Sequence, residues 1–239
     1  MRYRPKNLQD ENPDVLNQLA KYNPYIARVY DYPELLLPHP TPENFRELWP
    51  RINKDSLGDT LSSRIHIEIG CGSSRYLIRW AIENPQDFFI GLELRYKRLV
   101  LAAKKIQRQN IPNIILLRER GEFIDEYLPY KSINCLHINF PDPWPKKAKR
   151  KHRILSTEFL TKMSLYFCSG GELRFKTDHL EYFKSVTQIL NQLEPYSIDQ
   201  FTEDLHKSTY NKENILTEFE MLFKSKGNPP IGYLLAKAI

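Results

Sequence analysis

From Arg64 onward, short β-branched runs alternate with longer runs of helical period, and this alternation leaves few folds open to the chain. The strand-like runs are RIHIEIG, FFIGLEL, NIILL, SINCLHINF and ELRFKTD. Between them lie YLIRWAIENP, YKRLVLAAKKIQRQN, a short EFIDEYL, TEFLTKMSLYFCSGG with glycine at its expected end, and LEYFKSVTQILNQL. YSID, a polar loop rich in Asn, Lys and Glu, and an apolar GYLLAKAI close the chain. Strands separated by helices pair through crossovers, so the expected fold is α/β with a doubly wound, mainly parallel sheet. Residues 1–60 are polar and proline-punctuated, with helix-like pieces only at Val15–Tyr22 and around Glu43–Trp49. They are expected to form a partly flexible extension that wraps a domain spanning residues 61–239.

Composition matters here mainly for what it excludes. The N-terminal MRYRPKNLQDENPDV has no apolar core of the secretory kind, and no run approaches the roughly 20 apolar residues of a membrane helix. Cys71, Cys135 and Cys168 form no C-x-x-C pair, which argues against a disulfide framework or structural zinc. The expectation is a cytoplasmic protein without membrane or metal. A net charge of +6 hints at anionic partners, provided the charge clusters.

Ligands in doubly wound sheets bind beyond the carboxyl ends of the strands, so the strand ends come next. The first reads EIGCGSSR. Gly70 and Gly72 permit a tight turn and close approach of a ligand to the backbone. A dinucleotide fingerprint would need a glycine where Arg75 stands, which disfavours a nicotinamide or flavin. Glu68, set among Ile65, Ile67 and Ile69, is costly there unless it meets a cation or donors; it suits a ligand with an amine or a sulfonium. Glu93 lies 21 positions after Gly72, a spacing that lets an acid reach both hydroxyls of a ribose, or that simply places an acid before a helix. Together these suggest an S-adenosylmethionine site.

The fourth strand runs into NFPDPWPKKAKRKHR. Three prolines rule out continued strand or helix, and six of the eight residues from Lys146 to Arg153 are Lys or Arg. The segment from Glu68 to Asp178 resembles the tRNA (guanine-N7)-methyltransferase family. The resemblance is carried by EIGCG, GLE, FPDPWPKKAKRKHRIL, KTD and, near the C-terminus, TEFE. It implies a Rossmann-like class I methyltransferase fold, with S-adenosylmethionine as cofactor and tRNA as partner. The methylated base would be a guanosine, in the variable loop by family resemblance.

Residue by residue, the resemblance gives Glu68, Gly70, Gly72 and Glu93 to the cofactor. Asp142 would be the catalytic residue and would also contact the cofactor, lying between it and the acceptor. Lys146, Asp178, Thr217, Glu218, Phe219 and Glu220 would contact the guanosine or hold its pocket. Lys147, Lys149, Arg150, Lys151 and Arg153 would meet RNA phosphates, with Arg2, Arg4 and Lys6 as a further basic arm. Trp144 could stack on a flipped base or pack on proline. Ser74 stands where a third glycine is common. Arg120 stands where an acid usually meets the adenine amine, so that contact is expected to pass to Glu119 or a backbone group. GYLLAKAI lacks the usual Gly-His-Gly-Val-Trp character of the last strand.

The chemistry accounts for the acids. Guanine N7 carries its own lone pair, so no proton need leave before attack. Alignment and exclusion of water do most of the work. The ring becomes cationic as the methyl arrives, and Asp142 and Asp178 can stabilise that charge. A nucleotide-dependent dehydrogenase, a non-catalytic RNA-binding protein on the same scaffold, and a methyltransferase for another RNA remain rival readings. Monomer and homodimer stay equally open.

Overall fold

In the computed structural model, residues 13–48, 52, 63–224, 227 and 229–239 are described. The basic arm Arg2, Arg4 and Lys6 lies outside them. Eight strands form one sheet: β1 Leu36–Leu37, β2 Ile65–Ile69, β3 Phe88–Leu92, β4 Ile114–Leu117, β5 Ile133–Asn139, β6 Phe167–Thr177, β7 Tyr196–Thr202 and β8 Gly232–Ala238. Their order is β1-β4-β3-β2-β5-β6-β8-β7. All pairings are parallel except β6–β8 and β8–β7. The expected doubly wound, mainly parallel sheet is therefore present, and its order reverses direction at β2, between β3 and β5.

Described helices are α1 Pro13–Tyr22, α2 Tyr25–Arg28, α3 Pro42–Arg46, α4 Arg75–Glu83, α5 Tyr96–Arg108, α6 Thr157–Ser164, α7 Leu180–Gln192 and α8 Glu218–Lys224. Among the described residues, no helix is long and apolar enough to cross a membrane. One apolar layer packs Ile67, Leu136, Ile138 and Phe175 with α6 and α7 through Leu160, Met163, Tyr182 and Phe183. The other packs Phe89 and Leu116 with α4 and α5 through Leu77, Leu99 and Ala103, and draws in Val29 and Leu36 from the N-terminal segment.

Two elements depart from expectation. The TEFLTKMSLYFCSGG helix stops at Ser164, and Phe167 to Gly171 belongs to β6. Gly170 takes φ +72°, and a side chain on Gly171 would collide with the Ile133 carbonyl at 2.8 Å. The glycines thus serve an irregular strand pairing rather than a helix end, and the register with β5 shifts at this point. The two-residue β1 adds a parallel edge strand beside β4 that no periodicity announces.

Candidate active site

Parallel register sets three rows of polar residues side by side on one face of the central strands. They are His66, Cys135 and Glu172; then Glu68, His137 and Arg174; then Asn139 and Lys176. Helix α4 covers this face with Tyr76 and Trp80. The Tyr76 hydroxyl lies 3.0 Å from His137 Nδ1, His137 Nε2 lies 3.2 Å from His66 Nδ1, and His66 Nε2 lies 3.1 Å from Asp87. Two neutral rings, each protonated on Nε2, satisfy every one of these contacts in a single donor direction from Tyr76 to Asp87. Burial keeps His137 well below the usual imidazole range. His66, Cys135 and His137 bring ligand atoms within 4.8 Å of one another, but the imidazole nitrogens are already engaged in this chain. Arg174 lies over Trp80 at 5.1 Å, and Lys176 over Tyr76 at 5.0 Å.

At the carboxyl end of this face lies the glycine turn. Gly70 and Gly72 take φ +77° and +56°, with open space where their side chains would stand. Ser74, in place of a third glycine, is also left-handed at φ +60°, a conformation that strains a residue with a Cβ. Glu68 is buried, and Asn139 donates to its Oε1 at 2.9 Å. Among the described residues its Oε2 is buried without a hydrogen-bond partner, and the buried Ser74 hydroxyl lies beside the Cys71 thiol. Burial pushes the Glu68 carboxyl up to about 7; Asn139 and Lys176 oppose the rise, while Glu218 and Glu93 add to it. On the next strand, Glu93 Oε1 accepts the amides of Leu94 and Arg95 at 2.8 and 2.9 Å, and the carboxylate retains acceptor capacity. A cation beside Glu68 would satisfy an oxygen that the described fold leaves short, and Glu93 can accept further from hydroxyls, so an amino-acid-bearing nucleoside suits these residues.

The acceptor side is built from β5 and β6. Phe140 and Trp144, each preceding a proline, take φ +50° and +41°. Bulky residues rarely adopt such values, and between them they turn the exposed Asp142 out of the sheet. The Phe140 amide donates to the Lys176 carbonyl at 2.8 Å, so the exposed Asp178 leaves the sheet beside the same loop. Trp144 packs on His152 at 5.4 Å and is 36% exposed, which fits a rim aromatic.

The four residues of T-E-F-E, expected to contact the guanosine or hold its pocket, play different parts. Thr217 and Glu220 make a capping box on α8: Thr217 Oγ1 accepts the Glu220 amide at 3.1 Å, and Glu220 Oε2 accepts the Thr217 amide at 2.8 Å. Glu220 also pairs with the buried Lys176 at 3.3 Å and with His206 at 3.2 Å. Burial draws Lys176 below the ordinary lysine range, with Glu220 opposing the fall. These two motif side chains therefore hold α8 rather than reach outward. Phe219 stacks on Phe140 at 5.6 Å. Glu218 turns to the glycine turn, where the Ser73 hydroxyl, Lys105 and Arg98 donate to it.

The basic run forms a 3-10 helix over Lys147–His152, with Lys146, Lys147, Lys149, Arg150 and Lys151 exposed. Arg153 is a correction. It is 7% exposed, donates to the Pro143 carbonyl and to Glu181 at 2.7 Å, and stacks on Tyr182 at 4.5 Å. Its guanidinium ties the proline loop to α7 and is spent on contacts within the described residues rather than turned to solvent. Glu119 is turned inward, accepting the Tyr127 hydroxyl at 2.6 Å and the Arg120 amide at 2.8 Å. Arg120 pairs with Glu122 at 2.8 Å and lines a cavity of about 230 Å³ with Lys151, His152 and Lys162. Asn139, Lys176, Ser73, Arg98 and Lys105 escaped the sequence analysis. Only the alternation His66/Glu68, Cys135/His137/Asn139 and Glu172/Arg174/Lys176 signalled a polar face.

Comparison with known proteins places this chain among methyltransferases. Residues 62–231 match the profile of the family described as "Putative methyltransferase". A tRNA (guanine-N(7)-)-methyltransferase of Enterococcus faecalis is 31% identical over 217 residues, covering 90% of this chain and 91% of that protein. A bifunctional glycosyltransferase/methyltransferase of Fusobacterium nucleatum is 36% identical across 98% of this chain, which spans only 36% of that longer protein. Among solved structures, the aminoglycoside resistance methyltransferase NpmB1 superposes with a TM-score of 0.53 at 18% identity, covering 82% of this chain and 93% of that one. At that identity the likeness concerns the fold.

Proposed function

This chain belongs to the tRNA (guanine-N7)-methyltransferase family, and from that premise we propose that it transfers the methyl group of S-adenosylmethionine to N7 of a guanosine in tRNA, in the variable loop by family resemblance. The observation that carries the reading is the buried Glu68 carboxylate, one oxygen unpartnered, at the mouth of the glycine turn beside the strand that presents Asp142. The cofactor, when bound, supplies an electrophilic methyl group.

The chain's own residues do the rest. Glu68 takes the cationic amino-acid end and Glu93 the ribose hydroxyls. Glu119 is committed to Tyr127, so the adenine amine falls to a backbone carbonyl. Asp142 and Asp178 accept from the guanine edge and stabilise the positive charge that grows on the ring. Phe219, beside Phe140, walls the base pocket against water. Lys146 reaches the acceptor nucleotide, and Lys147, Lys149, Arg150 and Lys151 hold its flanking phosphates. Such a protein works in the cytoplasm. The direct test is methyl transfer from labelled cofactor to bulk tRNA, followed by chain cleavage at N7-methylguanosine; label without cleavage would place the methyl elsewhere.

Two further outcomes follow from named residues. Glu68 keeps its proton up to about pH 7 in the ligand-free protein. A cationic ligand favours the ionised form, so binding below pH 7 releases a proton. S-adenosylhomocysteine affinity should therefore rise with pH through about 7 and then level off. Calorimetry between pH 6 and 8 should show this rise in wild type and a flat profile in Glu68→Gln; a flat wild-type profile would remove Glu68 from the cationic contact. The second outcome concerns RNA. Replacing Lys149, Arg150 and Lys151 with Gln should make the slope of log affinity for tRNA against log salt shallower by roughly 2–3 units. Cofactor affinity should not change. Equal slopes by filter binding would make the run a mere solvated face.

A further inference from the structure

The Glu218 carboxylate has an unusual seat. Lys105 Nζ donates to its Oε1 at 3.1 Å and Arg98 Nη1 to its Oε2 at 3.0 Å, and the Ser73 hydroxyl also donates to it. The same Lys105 ammonium reaches the Ser73 carbonyl at 3.1 Å and the Ser73 hydroxyl at 2.7 Å. Two cations from α5 and one hydroxyl from the glycine turn thus converge on a single carboxylate. Ser73 directly follows Gly72, in the turn that begins just after Glu68. Glu218 is close enough to Glu68 to raise its carboxyl further.

The turn thereby offers both halves of a receptor for a zwitterion. Glu68 has an unpartnered acceptor for an ammonium, and Lys105, Arg98 and Ser73 have donors for a carboxylate. We propose that Lys105, Arg98 and Ser73 form the seat for the α-carboxylate of the cofactor's amino-acid end, and that Glu218 is an intramolecular competitor for that seat. This rests on the methyltransferase reading given above. Arrival of the cofactor exchanges one carboxylate for another and releases Glu218 from the turn. Because Glu218 opens α8 next to Phe219, which packs on Phe140, the exchange loosens α8 on the acceptor side once cofactor is seated.

The test compares two probes by calorimetry: S-adenosylhomocysteine, and the same molecule with hydrogen in place of its α-carboxylate. Lys105→Met should weaken S-adenosylhomocysteine by roughly 2- to 5-fold, less than a whole charged hydrogen bond because the ammonium already serves Glu218 in the ligand-free protein, and leave the decarboxylated probe unchanged. Arg98→Gln should behave alike. Glu218→Gln should tighten S-adenosylhomocysteine by about 3- to 10-fold, because the competitor has lost its charge, and again leave the decarboxylated probe unchanged. If Lys105→Met weakens both probes equally, the lysine only shapes the turn and the seat is refuted. If Glu218→Gln weakens S-adenosylhomocysteine, Glu218 belongs to the site rather than competing for it, which also overturns the proposal. If wild type binds neither probe, the cofactor reading itself falls, a result distinct from both.

Discussion

Asp142→Ala should slow methyl transfer to tRNA by roughly 10²–10³-fold in single turnover, the usual cost of removing one group aimed at transition-state charge. Cofactor affinity and the unfolding midpoint should barely move. Asp142 is exposed and lies between two positive-φ residues whose backbone, rather than its own side chain, shapes the loop. Guanine gains a positive charge only as the bond to N7 forms. The acid therefore matters more to the transition state than to the ground state, and the loss belongs in the rate rather than in tRNA affinity. Asp178→Ala should follow the same pattern from the neighbouring strand. A wild-type single-turnover rate in Asp142→Ala would take this residue out of the mechanism.

Lys176→Met should cost about 3–5 kcal/mol of stability, because it strands a buried carboxylate without its cation. Lys176 is 4% exposed and Glu220 fully buried. Lys176 also donates to the Asn214 side chain and the Ile215 carbonyl, so the segment leading into α8 hangs on this ammonium. The double variant Lys176→Met/Glu220→Gln should recover part of the loss, since the stranded charge is gone. Urea unfolding measures both. A single variant within about 1 kcal/mol of wild type would show that the network contributes little.

Much of the sheet was legible because β2, β3, β4 and β5 spell their burial in short runs of isoleucine, leucine and phenylalanine. The errors have local causes. Gly170 and Gly171 look like a helix stop because sequence periodicity does not distinguish a bulge from a cap. T-E-F-E resembles a family motif, but T-x-x-E ahead of an apolar run also spells a capping box, and Thr217 and Glu220 form one. Nothing in a run of like charges marks Arg153 as the member that is buried against Glu181 and Tyr182, while Arg150 meets the same carboxylate from the exposed side. Lys105 and Arg98 sit on a helix with several other cations, and only the tertiary approach of Glu218 sets them apart.

The polar rows across β2, β5 and β6 bear on how such a domain can be recombined. Residues from segments about seventy positions apart share one ordered set of protons, running from Tyr76 through His137 and His66 to Asp87. A chimera joined between β4 and β5 would pair His66 and Tyr76 from one parent with position 137 from the other. If that parent carries an apolar residue there, Tyr76 and His66 both lose a buried partner at once, a cost that neither half reveals alone. The amino- and carboxyl-terminal halves of this sheet are therefore not interchangeable cassettes, and a viable crossover must take position 137 from the parent that supplies Tyr76, His66 and Asp87.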